Sequence, residues 1–206
     1  MKRIELAQGS AEWLEYRRTR IGASDLPIIL GESPYMTAQS LWEEKLMFRP
    51  PQTMSPYMQR GVDLESTARG LICDVMGYQL EPCVVQHDDI DYLIASLDGL
   101  NEDVGVICEI KCPGMKTHLM AINGEIPVHY QWQIEHQFLV SGIKDCLYVS
   151  YNPEHTEKPL IIIERSVNLD VHNFILEKTK EFWECLQSIS PPPKKERKKK
   201  AREGEG

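Results

Sequence analysis

Residues 96–111 read SLDGLNEDVGVICEIK, and this stretch decides the fold. Apolar runs at 92–95 and 104–112 favour two strands, and residues 101–103 are predicted to form the turn between them. Because side chains alternate along a strand, Glu109 and Lys111 must share one face. The hairpin would bring Asp98 back toward Glu109. Two carboxylates and one ammonium group are therefore predicted to converge at the edge of a sheet.

These residue types suggest a metal-dependent site for phosphodiester cleavage. Mg²⁺ prefers one or two carboxylates, water and phosphate oxygens, and the Ile110 carbonyl could complete such a shell. Lys111 would position or deprotonate an attacking water, or offset charge in the transition state. The alternative is a surface hairpin with ordinary charges, since the spacing of Asp98, Glu109 and Lys111 is common.

The bulk composition is that of one globular domain. The chain has 206 residues, of which 42% are hydrophobic and 26% charged, so one domain over 1–190 is expected. No run approaches the ~20 apolar residues of a membrane span. The first residues lack an apolar signal core, so we expect a cytoplasmic protein, without a membrane role. The six cysteines are scattered, which favours free thiols over a zinc or iron–sulfur site.

Charge is distributed unevenly along the chain. Seven Lys/Arg and three Glu give residues 191–206 a charge of +4. Because the whole chain has a net charge of −8, residues 1–190 carry −12. This segment is predicted to be a basic disordered tail, which would either attract DNA or simply keep the chain soluble. The acidic body is atypical of a protein that coats nucleic acid, and it suits an enzyme that recruits cations to a pocket.

The predicted elements give an α/β (α+β) fold with a central mixed sheet flanked by helices. Glu65 lies at the border of an apolar helix face, where it is either solvated or held for a purpose. Gln133 shares a polar stripe with Tyr130 and Gln137. Helices are predicted over 10–18, 24–30 with Ser24 as N-cap, 37–46, 62–76, 130–141 and 170–186, further strands over 145–151 and 160–167, and a loop over 49–56.

Four blocks of sequence, in order, resemble the PD-(D/E)XK nuclease superfamily, and within it the lambda-exonuclease-like (YqaJ-type) viral recombination exonucleases. The proline that usually precedes the acid, here Asp98, is missing, but Ser-Leu-Asp-Gly is similar to the sequence motif of the exonuclease branch. The blocks are Trp13 through Arg17 to Ile21-Gly22-Ala23-Ser24-Asp25; Arg60-Gly61 leading to Glu65; Ser96-Leu97-Asp98-Gly99 with Glu109-Ile110-Lys111-Cys112-Pro113; and Tyr130-x-x-Gln133 leading to Val140-Ser141-Gly142.

The resemblance implies a restriction-endonuclease-like core and a role for each matched residue. Asp98, Glu109 and the Ile110 carbonyl would hold Mg²⁺, for which Mn²⁺ could substitute. Lys111 would act on the attacking water, and Glu65 would reach a second ion.

The same resemblance implies contacts to DNA. Gln133 would help to place the water or the scissile nucleotide, with Tyr130 nearby. Arg17 and Ser24 resemble a pocket for a 5′-phosphate, and Arg20 competes with Arg17 as the source of the guanidinium.

The implied activity is 5′-to-3′ exonucleolytic digestion of linear duplex DNA, which releases mononucleotides and leaves a 3′ single strand. The implied partners are DNA ends, a single-strand-annealing protein and two further copies in a homotrimeric ring, as in bacteriophage recombination in the host cytoplasm. The alternatives are an endonuclease of the same fold and a non-enzymatic recombination scaffold. A glycosidase with paired carboxylates would leave Lys111 unexplained.

Overall fold

The computed structural model describes residues 1–51 and 53–193. Within them a six-stranded sheet has its strands in sequence order, and all neighbours are antiparallel except the β4–β5 pair. Parallel neighbours need a long crossover, and here it contains two helices. The strands are β1 (Lys2–Ile4), β2 (Glu81–Gln86), β3 (Ile94–Asn101), β4 (Val106–Lys111), β5 (Asp145–Tyr151) and β6 (Leu160–Ser166).

Helices cover both faces of this sheet, as the mixed α/β prediction requires. No helix among the described residues is long and apolar enough to cross a membrane. Short 3₁₀ turns lie at Ala23–Asp25 and Leu169–Val171. The helices are α1 (Ala11–Arg18), α2 (Leu26–Ile29), α3 (Ala38–Lys45), α4 (Pro56–Met76), α5 (Met115–Ile122), α6 (Val128–Ser141) and α7 (His172–Gln187).

The strand β4 divides the core into two layers because its side chains alternate. Cys108 and Ile110 pack with Ala68 and Ile72 of α4 on one face. Ile107 packs on the other face, in the core that includes α6 and α7. Glu109 and Lys111 have the parity of Ile107, so they point toward α6, and the predicted shared face is confirmed by the Gln133 and Lys111 contacts of Glu109.

The predicted turn of the β3–β4 hairpin is confirmed. Asn101 accepts hydrogen bonds from the amides of Val104 and Gly105, the first through its side chain. Gly105 has a φ of 77°, which glycine adopts without the steric cost of a side chain. Regular pairing therefore begins at Val106, two residues later than predicted.

Two helix starts differ from the prediction. The helix α4 begins at Pro56, six residues early, because Ser55 caps it by accepting from the Met58 amide and proline fits the first helical position. Ser24 is not an N-cap: the 3₁₀ turn follows Gly22, and the Ser24 hydroxyl accepts from Arg17 instead.

The remaining predicted elements match closely, with three omissions. The sequence reasoning did not predict β1, β2 or α5. All six cysteines are free, as expected, and three of them are buried. Most of the predicted disordered tail, residues 194–206, lies outside the described residues.

Candidate active site

Asp98 lies where the β3–β4 hairpin opens. The paired residues of the two strands end at Gly99 and Cys108. Beyond that pair, Asp98 Oδ2 accepts a hydrogen bond from the Ile110 amide at 2.8 Å. A side chain thus takes the place of the next strand-to-strand bond. This brings the Asp98 carboxylate to the segment that carries Glu109 and Lys111.

Position 99, next to Asp98, requires glycine because the surrounding side chains leave no room for a Cβ. A Cβ added there would lie 2.9 Å from the Cβ of Leu80 and 3.1 Å from that of Cys108. Both distances are shorter than ordinary van der Waals contacts. The glycine after the acid is therefore a packing requirement of the hairpin.

Glu109 is fully buried and held by three donors. Its Oε1 accepts from Gln133 Nε2 at 2.7 Å and lies 2.5 Å from Lys111 Nζ. Its Oε2 accepts from Gln137 Nε2 at 2.5 Å. Three of the roughly four acceptor positions of a carboxylate are therefore used, and the group is fixed in orientation.

The carboxylates and the ammonium shift one another's ionisation. Burial and the charge of Glu109 together raise the pKa of Asp98 well above its usual range, against the opposing effect of Lys111. Burial disfavours the charged form of Lys111, but Glu109 and Asp98 outweigh this effect and raise the pKa of its ammonium. The buried cluster therefore has more negative charge than one ammonium can offset.

This charge balance and the donor set fit a hard divalent cation. Asp98 Oδ2 accepts a hydrogen bond from the Ile110 amide. In the described contacts Oδ1 accepts none, so it is available to an ion. One or two carboxylates with water and phosphate oxygens are what Mg²⁺ takes in proteins. Among the described residues, no three His, Cys, Asp or Glu side chains are grouped so that they could hold a metal ion together. Asp98 and Glu109 are thus the two carboxylates that could contact such an ion, and water or phosphate oxygens would have to complete its shell.

Glu65 approaches this cluster from α4 and is engaged by Arg69. The two side chains form an ion pair one helical turn apart. Arg69 Nε also donates to the backbone carbonyl of Asp98 at 2.6 Å. Arg69 therefore ties Glu65 to the strand that carries Asp98. Sequence reasoning missed Arg69, although its spacing of four residues from Glu65 is the usual signal of a helical ion pair.

Arg17 and Ser24, the residues predicted to bind phosphate, lie in contact with each other. Arg17 Nη2 donates to Ser24 Oγ at 2.5 Å, and the guanidinium lies over the Trp13 ring, 5.2 Å from its centre. Trp13 Nε1 in turn donates to Ser96 Oγ at 3.0 Å on β3. These contacts join the end of α1, the following turn and the strand that carries Asp98.

A cleft of about 220 Å³ joins this group to Asp98 and Lys111. It is lined by residues from α1, the 3₁₀ turn, β3, the end of β4 and α6. The predicted phosphate residues and three of the predicted catalytic residues therefore open into the same space. The lining residues are Gln8, Trp13, Arg17, Gly22, Ala23, Ser24, Ile94, Ser96, Asp98, Lys111 and Gln133.

Two predicted DNA contacts are placed differently. Arg20 does not line the cleft: its guanidinium stacks on the Tyr16 ring at 3.7 Å and donates to Thr19 Oγ1 at 3.0 Å. Tyr130 lies beside the cleft, with its ring centre 5.0 Å from Lys111 Nζ. The structure therefore brings Tyr130, but not Arg20, to the predicted centre.

The structure adds two residues that sequence reasoning did not assign to the site. Ser96 is two residues from Asp98 on one strand, so alternation alone would have placed both on the same face. Gln137 is one helical turn from Gln133 and holds the second oxygen of Glu109. The alternation of side chains along a strand indicates Ser96, and the spacing of four residues along a helix indicates Gln137. The same two patterns identified Glu109, Lys111 and Gln133.

Comparison with known proteins finds a matching family and structures of similar fold. The profile of the YqaJ-like viral recombinase domain matches residues 12–144. The fold is similar to that of an alkaline exonuclease from Laribacter hongkongensis, at a TM-score of 0.76 and 24% identity over 87% of this chain and 94% of that one. A structure of that exonuclease in complex with dAMP gives a TM-score of 0.75 at 23% identity, again over 87% and 94%.

A more distant structure has the same fold. It is a phage-related exonuclease from Haemophilus somnus, with a TM-score of 0.65 and 13% identity over 82% of this chain and 96% of that one. A comparison with curated proteins finds no match. Since the matched profile covers more than half of the residues, the chain belongs to the family of the YqaJ-like viral recombinase domain.

Proposed function

We propose that this chain is a Mg²⁺-dependent exonuclease that digests one strand of linear duplex DNA from a 5′-phosphorylated end. Digestion would release mononucleotides and leave a 3′ single strand. The solved structures of similar fold are described as exonucleases, which supports this class of reaction.

One observation carries the proposal: the Arg17–Ser24 pair and the Asp98–Lys111 group line the same cleft. Guanidinium groups bind phosphate oxygens bidentately, so Arg17 suits a terminal phosphate. A phosphodiester bound at the same time near Asp98 would then lie close to that end. Binding of the terminal phosphate by Arg17 would thus direct cleavage toward the end of the strand.

The family resemblance implies a role for each of these residues. Asp98, Glu109 and the Ile110 carbonyl would hold the first Mg²⁺, and Glu65 would face a second ion. Bound ions there would polarise the phosphodiester and acidify a water molecule.

The surrounding side chains orient the reactants. Gln133 and Gln137 keep the Glu109 carboxylate in one orientation. Lys111 would orient the attacking water and offset charge on the phosphate as it develops.

The biological setting is also part of the proposal. The recombinase description of the family supports a role in recombination, with a single-strand-annealing protein as the partner that receives the 3′ strand. A homotrimeric ring around the duplex would explain how a body with a charge of −12 retains DNA, because enclosure would replace overall charge attraction.

Digestion of matched linear duplexes tests the proposal. Substrates with 5′-phosphate or 5′-hydroxyl ends are incubated with Mg²⁺ or with EDTA, and a covalently closed circle is included as the substrate without ends. We expect mononucleotides from the phosphorylated ends in Mg²⁺, slower digestion of hydroxyl ends, and no digestion of circles.

Controls separate the parts of the claim. Lys111→Ala should lower the rate by at least about a hundredfold, the lower range for a residue that transfers or orients a proton. Equal digestion of both kinds of end would refute the phosphate pocket. Cutting of the closed circle would instead favour an endonuclease.

A further inference from the structure

A buried ion pair lies under the turn that joins Arg17 to Ser24. Lys45 Nζ of α3 is 2.8 Å from Asp25 Oδ2, and the two side chains are only 6% and 5% exposed. Neither residue lines the cleft or contacts Asp98, Glu109 or Lys111 in any described hydrogen bond. The pair is therefore separate from the groups already assigned to cleavage.

Every proton of the Lys45 ammonium has an acceptor in this turn. Besides Asp25, Nζ donates to the backbone carbonyls of Arg17 at 3.2 Å and Arg20 at 2.5 Å. An ammonium group has three protons to donate, so its capacity is fully used. Lys45 thus binds the backbone on both sides of the bend that follows α1.

Asp25 fixes the other arm of the same turn. Its Oδ2 accepts from the Gly22 amide at 2.8 Å, while its own amide donates to the Gly22 carbonyl at 2.9 Å. Ser24 lies between these two anchor points. Burial opposes the ionisation of Asp25, but the charges of Lys45 and Arg17 outweigh it and lower the pKa of the carboxyl.

Stability alone is a poor explanation for such a pair. Removing two charges from water is costly, and well-packed apolar residues often replace buried ion pairs without loss of stability. Here the pair forms hydrogen bonds with the backbone of Arg17, Arg20 and Gly22. The pair is also neutral overall, so it can order the turn without repelling an anion bound above it.

We propose that Asp25 and Lys45 are positioning residues that set the preference for a 5′-phosphorylated end, because they hold the backbone that presents Arg17 and Ser24. This inference rests on the proposed function. A guanidinium binds phosphate bidentately only when its two N–H groups are aligned with the oxygens. Displacement of a binding group by about 1 Å can cost on the order of a hundredfold in rate.

The test compares the ratio of kcat/KM on 5′-phosphate ends to kcat/KM on 5′-hydroxyl ends. The variant is Asp25→Asn with Lys45→Met, which removes both charges together and avoids leaving one of them buried alone. The asparagine can still accept from the Gly22 amide. The matched control is Glu135→Gln with Arg165→Met, which removes an ion pair of 3.4 Å between α6 and β6, away from the turn.

We expect the ratio to fall about tenfold or more in the Asp25/Lys45 variant and to stay within twofold of the wild type in the control. Circular dichroism and thermal unfolding establish that each variant is folded. Should the double variant fail to fold, Lys45→Arg replaces it, since a longer, planar cation cannot reproduce all three contacts of the ammonium.

The outcomes distinguish this inference from the function on which it rests. A wild-type protein that prefers phosphorylated ends, with a folded variant that prefers them equally, overturns the role of the ion pair alone. A wild-type protein that does not discriminate overturns the phosphate pocket, and the inference with it. Direct binding of 5′-phosphorylated and 5′-hydroxyl duplexes in Ca²⁺ should show the same loss of preference without cleavage.

Discussion

Asp98 is placed where its charge is costly without a cation. Burial and the neighbouring Glu109 raise its pKa, so the folded protein binds a proton there more tightly than the unfolded chain does. Its contribution to stability therefore falls as the pH rises from the ordinary range of an aspartate to the raised pKa, and the full cost applies above it. The Asp98 carboxylate therefore lowers stability at neutral pH, which is consistent with its proposed role as a metal ligand.

Asp98→Asn should therefore stabilise the protein in EDTA at neutral pH while it abolishes cleavage. The asparagine oxygen can still accept from the Ile110 amide, and a gain of about 0.5–2 kcal/mol is usual for the removal of such a conflict. Denaturant unfolding measures the gain, and added Mg²⁺ should stabilise only the wild type. Asp145→Asn, at an exposed acid bonded to Ser166, is the control and should change little. An Asp98→Asn protein that is less stable in EDTA would contradict this account.

The burial of His136 predicts that the folded protein loses stability as the pH falls. Its ring is buried on α6 and its Nε2 donates to the Ile94 carbonyl at 3.1 Å, while burial lowers its pKa to about 4. Between pH 6.5 and 4 the unfolded chain binds a proton that the folded chain does not, so stability falls by about 3 kcal/mol as the pH drops through this window. Unfolding free energies of the wild type and His136→Gln should therefore converge or cross at low pH. Parallel curves would refute the role of His136.

At the scale of single elements, α6 acts as the support of the centre. Gln133 and Gln137 are one turn apart, and each donates to a different oxygen of Glu109. The side-chain oxygen of Gln137, Oε1, is buried without a hydrogen-bond partner among the described residues. The orientation of Gln137 that holds the Glu109 carboxylate therefore leaves its own side-chain oxygen without a partner.

Gln137→Leu should cost roughly 1–3 kcal/mol, because it leaves one oxygen of a buried carboxylate without its donor. It should also lower kcat more than it raises KM, since Glu109 loses its fixed orientation. Gln131→Leu is the matched control: that side chain lies on the same helix and donates only to the Ile126 carbonyl in the described contacts. Equal kinetic effects from both substitutions would indicate a general loss of helix packing.

The elements that sequence could predict are those with a clear period or cap. Alternation placed Glu109 and Lys111 correctly, and helical spacing placed Gln133. The strand β2 was missed because it contains Pro82, which is unusual in a strand interior. The helix α5 follows Gly114 and has no side-chain cap, so its start has no signal. Contacts between distant segments, such as Lys45 with the turn after α1, have no local pattern at all.

At the scale of the whole molecule, the proposed function requires an acidic body to bind an acidic polymer. Residues 1–190 carry −12, and the basic residues that line the cleft are only Arg17 and Lys111 among those described. Local phosphate contacts and enclosure by several copies would together reconcile this charge with DNA binding.

Light scattering during gel filtration tests the enclosure. The predicted mass is three times the 23.7 kDa of the chain, independent of DNA. A monomer over the concentration range of the nuclease assay would refute the ring.

The most direct test of the central claim is strand-resolved digestion of one linear duplex that has a 5′-phosphate at one end and a 5′-hydroxyl at the other, with a different label at each terminus. The account predicts that, in Mg²⁺, mononucleotides are released first from the 5′-phosphorylated terminus, and that Asp98→Asn or EDTA abolishes their release. Release that begins at a 3′ terminus, internal fragments as the first products, or equal release from both 5′ ends would contradict it.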